Sequence, residues 1–562
     1  MSKANHFDVI VVGSGMSGGW AAKEFCENGL KTLVLERGKN VAHIKDYPTT
    51  NMDPWEFEHA NQLPQKLKTD NPIASKCYAF KEDAQHFFLH DKEQPYIQDK
   101  PFDWIRADAV GGKSLLWARQ VQRWSDFDFE GPARDGFAVD WPIRYKDIAP
   151  WYAYVEKFIG VSGHKDGNKY MPDGEFLPGF ELNSVEKAIK HKIQSKYPDR
   201  QVIQGRCAHI TDPQPIHIAQ GRTKCQNRVL CQRGCPFGGY YSSTSSTLPW
   251  AAKTGNLTLK SDKIVESIIY DEQKGKAIGV RVIDRLQKTT EEYFARVIFV
   301  NASTLASNML LLNSTSNRFP NGLGNDSGLL GKFIAFHNYM GTLGGSVEGY
   351  EDKYYYGKRP TQPIIPNFRN NHRQETDFLR GYASFFGAYR GRGVWREGPQ
   401  VGGDFKDNLT ELGNWGVGMM MQGETIPVES NYVALSDQKD PYGLPQLITN
   451  ISYQDNDYKS LEDFLTQGSE MLEAAGVRNI YVNRSNQNPG LDIHEMGGVR
   501  MGHDPKTSLL NKWNQMHHCA NVFVADGAAM TSTGTQNPSL TFMALTARAV
   551  NFALEEMKKG NI

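Results

Sequence analysis

The chain opens with a change of period. In Asp8-Val9-Ile10-Val11-Val12 a short apolar run follows the acid, as suits a buried parallel strand, and it ends at Gly13. A helix is predicted from about Ser17 to Asn28, and Thr32 to Leu35 is a second short strand. Further along, Leu257 to Leu259, Ile278 to Ile283 and Arg296 to Asn301 read as strands leading to a helix through Met309 to Leu312. Residues 521 to 557 read as strand, loop and helix, with Phe542, Leu545, Ala549, Phe552 and Ala553 on one helix face. Blocks at about 40 to 105 and 340 to 480 are rich in Gly, Pro, Tyr and Trp and weakly periodic, which suits a cap over a site. No repeat, low-complexity tract or long linker divides the 562 residues, so the domains are expected to interweave.

Composition narrows the classes. Hydrophobic residues make up 39% and charged residues 22%, enough for a large core. The 63 basic and 63 acidic residues cancel, and no basic run carries interleaved aromatics, so nucleic acid is not an expected partner. No apolar run reaches the length of a transmembrane span, and Met1 to His6 lead into the first strand without a signal peptide. Cytoplasmic synthesis is expected, with no export by this chain's own signal.

Gly13-Ser14-Gly15-Met16-Ser17-Gly18 stands directly between the first strand and the helix. In that context Gly13 makes the tight turn, Gly15 lets backbone approach a pyrophosphate and Gly18 lets helix and sheet pack closely. Glu36 ends the second strand where a carboxylate accepts ribose hydroxyls and repels a 2′-phosphate, which disfavours NADP. This fingerprint does not separate FAD from NAD. Val110-Gly111-Gly112-Lys113-Ser114-Leu115-Leu116-Trp117 offers a backbone able to pass close to a flat ring, and Asn521 to Ala528 is a strand ending in Asp526 and Gly527 before Gly534 to Thr541.

Together with Glu36-Arg37-Gly38, Asn325 to Gly331, His494-Glu495-Met496-Gly497-Gly498-Val499-Arg500-Met501-Gly502 and Asn537-Pro538, these stretches resemble the glucose-methanol-choline oxidoreductases over nearly the whole chain. The resemblance implies an α/β protein, α+β overall. A Rossmann-like FAD domain (1–40, 105–125, 225–340 and 480–562) is interwoven with a substrate cap on an antiparallel sheet (41–104, 126–224 and 341–479). FAD is expected along Gly13, Gly15, Gly18, Glu36, Arg37, Gly111, Gly112, Ser114, Asp526, Gly527, Asn537 and Pro538. Some relatives bind FAD covalently through a histidine where Leu116 stands here, so non-covalent FAD is expected. His494 is implied as the base that takes the hydroxyl proton, with Asn537 holding the same hydroxyl in line. His503 is left structural.

Cys225, Cys231 and Cys235 cluster around Gly234 and Pro236. Convergent thiolates suit an iron-sulfur centre or zinc, and zinc would draw a further ligand from Cys207, His209 or His217; a disulfide is the remaining reading. The spacing also resembles that of bacterial FAD-dependent sugar dehydrogenases, which implies a [3Fe-4S] cluster. By the same resemblance the substrate is a sugar or glycoside oxidised at a ring hydroxyl, a 3-keto product being favoured. Electrons would leave to a cytochrome c-type or quinone acceptor with a small subunit whose signal exports both chains to the periplasm. Glucose 1-dehydrogenase, gluconate 2-dehydrogenase, an oxygen-using sugar oxidase and a non-catalytic flavin-binding protein are the alternatives. Gln422, Glu424 and Asn431 are candidates for gripping sugar hydroxyls.

Overall fold

Val9, Ile10 and Val11 are fully buried in the computed structural model, on the strand His6–Val12 at the heart of a mixed sheet. That sheet runs Leu257–Lys260, Thr32–Leu35, His6–Val12, Thr290–Val300, Lys276–Asp284 and Lys263–Asp271, with Val522–Val524 also paired to Thr290–Val300. Its centre is parallel and its last two strands return antiparallel. Residues 5–353, 360–392 and 401–562 are described; Met1 to Ala4, and positions 354–359 and 393–400 of the expected cap block, lie outside the described residues.

Register decides where a ligand can sit. Val12 pairs with Leu35 and with Val300, and Val300 pairs with Val524. The next residues of these strands, Gly13, Glu36, Asn301 and Ala525, therefore emerge together at the carboxyl edge, where parallel α/β sheets bind their ligands. The fingerprint helix Met16–Glu27 begins at this edge and packs against the C-terminal helix Ser539–Lys559. That C-terminal helix is buried on more than the one predicted face: Leu540, Met543, Ala544 and Val550 are enclosed with Leu545, Ala549 and Ala553. The reason is its position, since the helix Tyr145–Ile159 packs on it as well as the fingerprint helix.

A second sheet is antiparallel, in the order Arg478–Arg484, Gly341–Val347, Leu412–Glu424, Tyr382–Arg392, Pro363–Ile365 and Ile203–Gln204. The helix Asp455–Ala474 covers one face of it, burying Leu461, Phe464, Leu465, Met471 and Leu472 against Leu343, Val417 and Met419. The fold is thus the expected α/β core with an antiparallel cap sheet. His337–Asn338 pairs with the inner end of Leu412–Glu424, so the cap sheet ends over the carboxyl edge of the first sheet. Among the described residues no helix is long and apolar enough to cross a membrane.

Candidate active site

A cavity of about 850 Å³ runs from the strand edge to the cap sheet, near the top of the range of roughly 300–1,000 Å³ found for cofactor and ligand sites. At one end it is lined by Gly13, Gly15, Glu36, Arg37 and Asn301, in the middle by Gly112, Leu116, Asp526 and Gly527, and at the other end by His494 and Asn537. Gly13 has φ +95° and a Cβ there would meet Asn301 O at 2.4 Å, so only glycine makes this turn. A Cβ on Gly15 would meet no atom within 4 Å, because that position faces the open cradle. Glu36 receives Ser14 N–H at 3.0 Å, Ser14 Oγ–H at 2.6 Å and Gly38 N–H at 2.8 Å. Burial pushes its carboxyl up, and these hydrogen bonds oppose the rise. Asp526 receives Ser307 Oγ–H, Ser303 N–H and Ala528 N–H, and burial pushes it up to about 6.

Gly18, Gly111, Ser114 and Pro538 do not line the cavity. They shape it from behind. A Cβ on Gly18 would fall 1.9 Å from Gly13 O, and Ser114 Oγ donates to Gly111 O at 2.5 Å and thereby fixes the turn that Gly111 opens.

The far end holds the candidate chemistry. His494 Nε2 lies 3.5 Å from Asn537 Nδ2, and its Nδ1 lies 2.8 Å from His337 Nδ1. His337 Nε2 in turn lies 3.0 Å from Gly534 O, on the loop that carries Asn537. Asp492 Oδ2 accepts the backbone N–H of both His337, at 3.0 Å, and His494, at 3.1 Å. Between Asp492 and His494, Ile493 has φ +63°, a costly conformation for a β-branched residue, held here by the bonds on either side. Burial, then the neighbouring His337 and Lys113, keep His494 well below the usual histidine value; burial lowers His337 to about 4. Burial pushes Asp492 up to about 7, Glu495 adding to the rise.

His337, Asp492 and His494 place ligand-type atoms within 4.8 Å of one another. They are a hydrogen-bonded set and not a metal site. Two nitrogens bound to one ion at about 2.0–2.1 Å each would stand more than about 3 Å apart in a tetrahedral site, whereas these are 2.8 Å apart and the other His337 nitrogen is occupied.

His337, Asp492 and Tyr339 were missed by the sequence reading. The signal for His337 was its place six residues after the matched Asn325 to Gly331 stretch, and for Asp492 its place two residues before His494. Of the three candidates for sugar contact, Gln422 borders the cavity, its amide donating to Thr535 O at 2.8 Å and its oxygen accepting from Tyr339. Glu424 and Asn431 do not border it. Glu424 is wholly buried in an ion pair with Arg380 at 2.8 Å, and Asn431 bonds Ser452 across two backbone contacts. His503 is exposed, 3.8 Å from Asp140.

Cys225, Cys231 and Cys235 are unpaired thiols that line a separate hollow of about 50 Å³ with His209, Gly234, Gly239 and Tyr240. Gly234 has φ +83° and a Cβ there would strike the Tyr47 ring at 2.5 Å. His209 Nε2 lies 3.8 Å from Cys231 Sγ, while both ring nitrogens of His217 are taken by Gln214 N and Lys157 O. Tyr240 links this hollow to the cavity wall, its hydroxyl donating to Leu115 O at 3.0 Å and its ring lying 4.3 Å from the Arg119 guanidinium.

The glycine-lined cradle thus runs to a half-buried histidine beside a buried amide, the two groups a hydroxyl would meet at the far end of the cavity. Family models described as GMC oxidoreductase match residues 8–337 and 427–546, and the chain belongs to the glucose-methanol-choline (GMC) oxidoreductase family. It is an FAD-dependent oxidoreductase acting on CH–OH groups. It is 26% identical to the 2-methyl-1,2-propanediol dehydrogenase of Mycolicibacterium austroafricanum over 98% of this chain and 96% of that one. It is 25% identical to the fructose dehydrogenase large subunit of Gluconobacter japonicus over 98% of each. A solved formate oxidase variant of Aspergillus oryzae RIB40 shares the fold over the whole of both chains, with TM-score 0.63 and 12% identity.

The residues fit FAD. Arg37 and Arg106 both line the cavity, and each has a buried Nε and NH2 without a partner, as do both amide atoms of Asn301. Buried donors of this kind need acceptors, and a pyrophosphate with its ribose hydroxyls supplies them.

Proposed function

We propose that this chain is a dehydrogenase that oxidises a ring hydroxyl of a sugar or glycoside, with a 3-keto product favoured. The single observation that carries the reading is the His494–Asn537 pair at the end of the cavity opposite the glycine cradle. Gly13, Gly15, Arg37, Arg106 and Gly112 would hold FAD, which when bound accepts a hydride from the substrate carbon. Leu116 borders the cavity and has no nucleophilic atom, which supports non-covalent attachment. His494 takes the hydroxyl proton at Nε2. The buried Asn537 Oδ1 has no protein partner and is free to orient the substrate. Phe385, Met420 and Gln422 of the cap sheet wall the cavity in which the proton transfer would take place.

The acceptor follows from the thiols. Cys225, Cys231 and Cys235 would hold a [3Fe-4S] cluster, a one-electron exit suited to a cytochrome c-type or quinone acceptor. Among the described residues the three thiols do not all lie within 4.8 Å of one another, and the reading of a multi-iron unit rests on their clustering around one hollow. The relative named a fructose dehydrogenase large subunit supports a small-subunit partner, whose signal would carry both chains to the periplasm. The test is an anaerobic screen of sugars and glycosides with product NMR, beside iron analysis and EPR of anaerobically purified protein. Zinc without iron, or rapid peroxide formation in air, would favour a simple oxidase instead.

A further inference from the structure

His494 at the end of the cavity and His337, which does not line it, settle one another's protons. A carbonyl oxygen only accepts, so the 3.0 Å contact with Gly534 O requires a hydrogen on His337 Nε2. A neutral His337 then has its lone pair at Nδ1. The atom facing that lone pair at 2.8 Å is His494 Nδ1, which must therefore donate. His494 is left with its lone pair at Nε2, the nitrogen that borders Asn537 Nδ2 at 3.5 Å, an amide hydrogen donor. Each contact is consistent with the next. The opposite arrangement needs a doubly protonated His337, and this ring is fully buried with no carboxylate oxygen on either nitrogen.

We infer that His337 is a positioning residue that fixes His494 in the Nδ1–H tautomer, so that Nε2 is the basic nitrogen presented to the substrate hydroxyl. This rests on the reading of His494 as the base. The rings meet edge to face at 84°, and turning either one breaks the Nδ1···Nδ1 contact, while Asp492 holds the backbone N–H of both residues and so their relative backbone positions. The loop that presents Asn537 also carries the Gly534 carbonyl, so one segment both orients the substrate and, through His337, selects the basic nitrogen. The proton balance is simple. The hydroxyl O–H bond breaks, the proton joins His494 Nε2, and the Nδ1–H···Nδ1 bond to His337 persists through the step.

Replacement of His337 by Asn and by Gln separates positioning from bracing. Asn places a carbonyl oxygen near the Nδ1 position and can accept from His494 but does not reach Gly534, whereas Gln reaches Gly534 and leaves His494 Nδ1 without an acceptor. In anaerobic stopped flow with the FAD-loaded enzyme, His337→Ala and His337→Gln are expected to reduce flavin at least about tenfold more slowly, with His337→Asn recovering most of the rate. The His337→Ala/His494→Ala double variant is expected to be no slower than His494→Ala alone, since His337 acts through His494. In ¹⁵N-histidine-labelled holoenzyme, the resonances lost in His494→Asn are expected to report a protonated Nδ1 and a bare Nε2. Recovery by Gln and not by Asn, full multiplication of the two defects, or a protonated Nε2 overturns the inference. If His494→Ala keeps the wild-type rate, the base reading itself falls; if it is slow while His337→Ala is fast, only the positioning role falls.

Discussion

Glu36 accepts both the backbone N–H and the hydroxyl of Ser14, at 3.0 and 2.6 Å, so the acid at the end of the second strand holds the glycine turn at the end of the first. The expected ribose contact adds to this task, because a carboxylate offers about four acceptor positions and three are used here. Ser14 Oγ also accepts Gly111 N–H at 2.9 Å, which ties the Gly-Gly turn to the same point.

Glu36→Ala should therefore weaken FAD binding through both effects. Hydrogen bonds to a charged group contribute about 1.5–3 kcal/mol, so a loss of about ten- to a hundredfold in affinity is expected. Calorimetric titration of FAD into apoprotein reads this directly. An unchanged affinity would mean that the carboxylate neither orders the turn nor touches the cofactor.

His494→Ala should slow flavin reduction by about a hundredfold or more while leaving FAD bound, as expected for a lost general base. The pH dependence follows from the lowered value of His494. A base held well below the ordinary 6.5 stays unprotonated through neutral pH, so its rate should be flat there and fall only in more acidic solution. Stopped-flow reduction across pH checks this, and an acid limb at or above the ordinary histidine value would contradict the assignment.

The local parts of this site were legible in the sequence. Gly13 to Glu36 declare a turn, a helix and an acid within one strand-helix-strand unit, and their pairing follows from adjacent elements. His494 and Asn537 were legible through the family resemblance and not from periodicity. His337 was not legible, because its partner lies 157 positions away and only the meeting of the cap sheet with the strand edge brings them together. Glu424 and Asn431 misled for a related reason: polar residues suggest contact with solvent or ligand, but Glu424 pairs with Arg380 and Asn431 bonds the Ser452 backbone inside the protein. The strand Lys263–Asp271 escaped notice because register shifts at Val265/Ser267 and Ile269/Tyr270 break its alternation.

Asp457 offers a test of stability away from the site. It sits in the first turn of the helix Asp455–Ala474, where one carboxylate oxygen accepts Gln454 N–H at 2.7 Å and the other is buried without a partner. Burial pushes its carboxyl from 3.8 up to about 7. A folded-state value above the unfolded one favours the folded protein at low pH, and that contribution is lost as pH rises from 3.8 through 7. Asn keeps the accepting oxygen and carries no charge. The Tm of Asp457→Asn relative to wild type should therefore climb from about pH 4 to about pH 7 and then level, the full shift corresponding to at most about 4 kcal/mol. A pH-independent difference would show that the group does not titrate in this range.

Cys231 tests the proposed electron route. Its thiol shares the small hollow with Cys225 and Cys235, and that hollow has no lining residue in common with the cavity where His494 and Asn537 lie. Tyr240 stands between them, bonded to Leu115 O beside the Gly-Gly turn, so the hollow lies next to the expected flavin position without contributing to the hydroxyl chemistry. If the thiols hold the proposed cluster, removal of one should separate the two half-reactions. In Cys231→Ala, substrate should reduce FAD at close to the wild-type rate in a single turnover, while iron content and the cluster EPR signal are lost. Steady-state electron delivery to a cytochrome c or quinone should fall by about tenfold or more, because a two-electron donor has lost its single-electron relay. An enzyme that keeps its acceptor rate after losing iron, or that contains no iron before the substitution, would place the electron exit at the flavin itself.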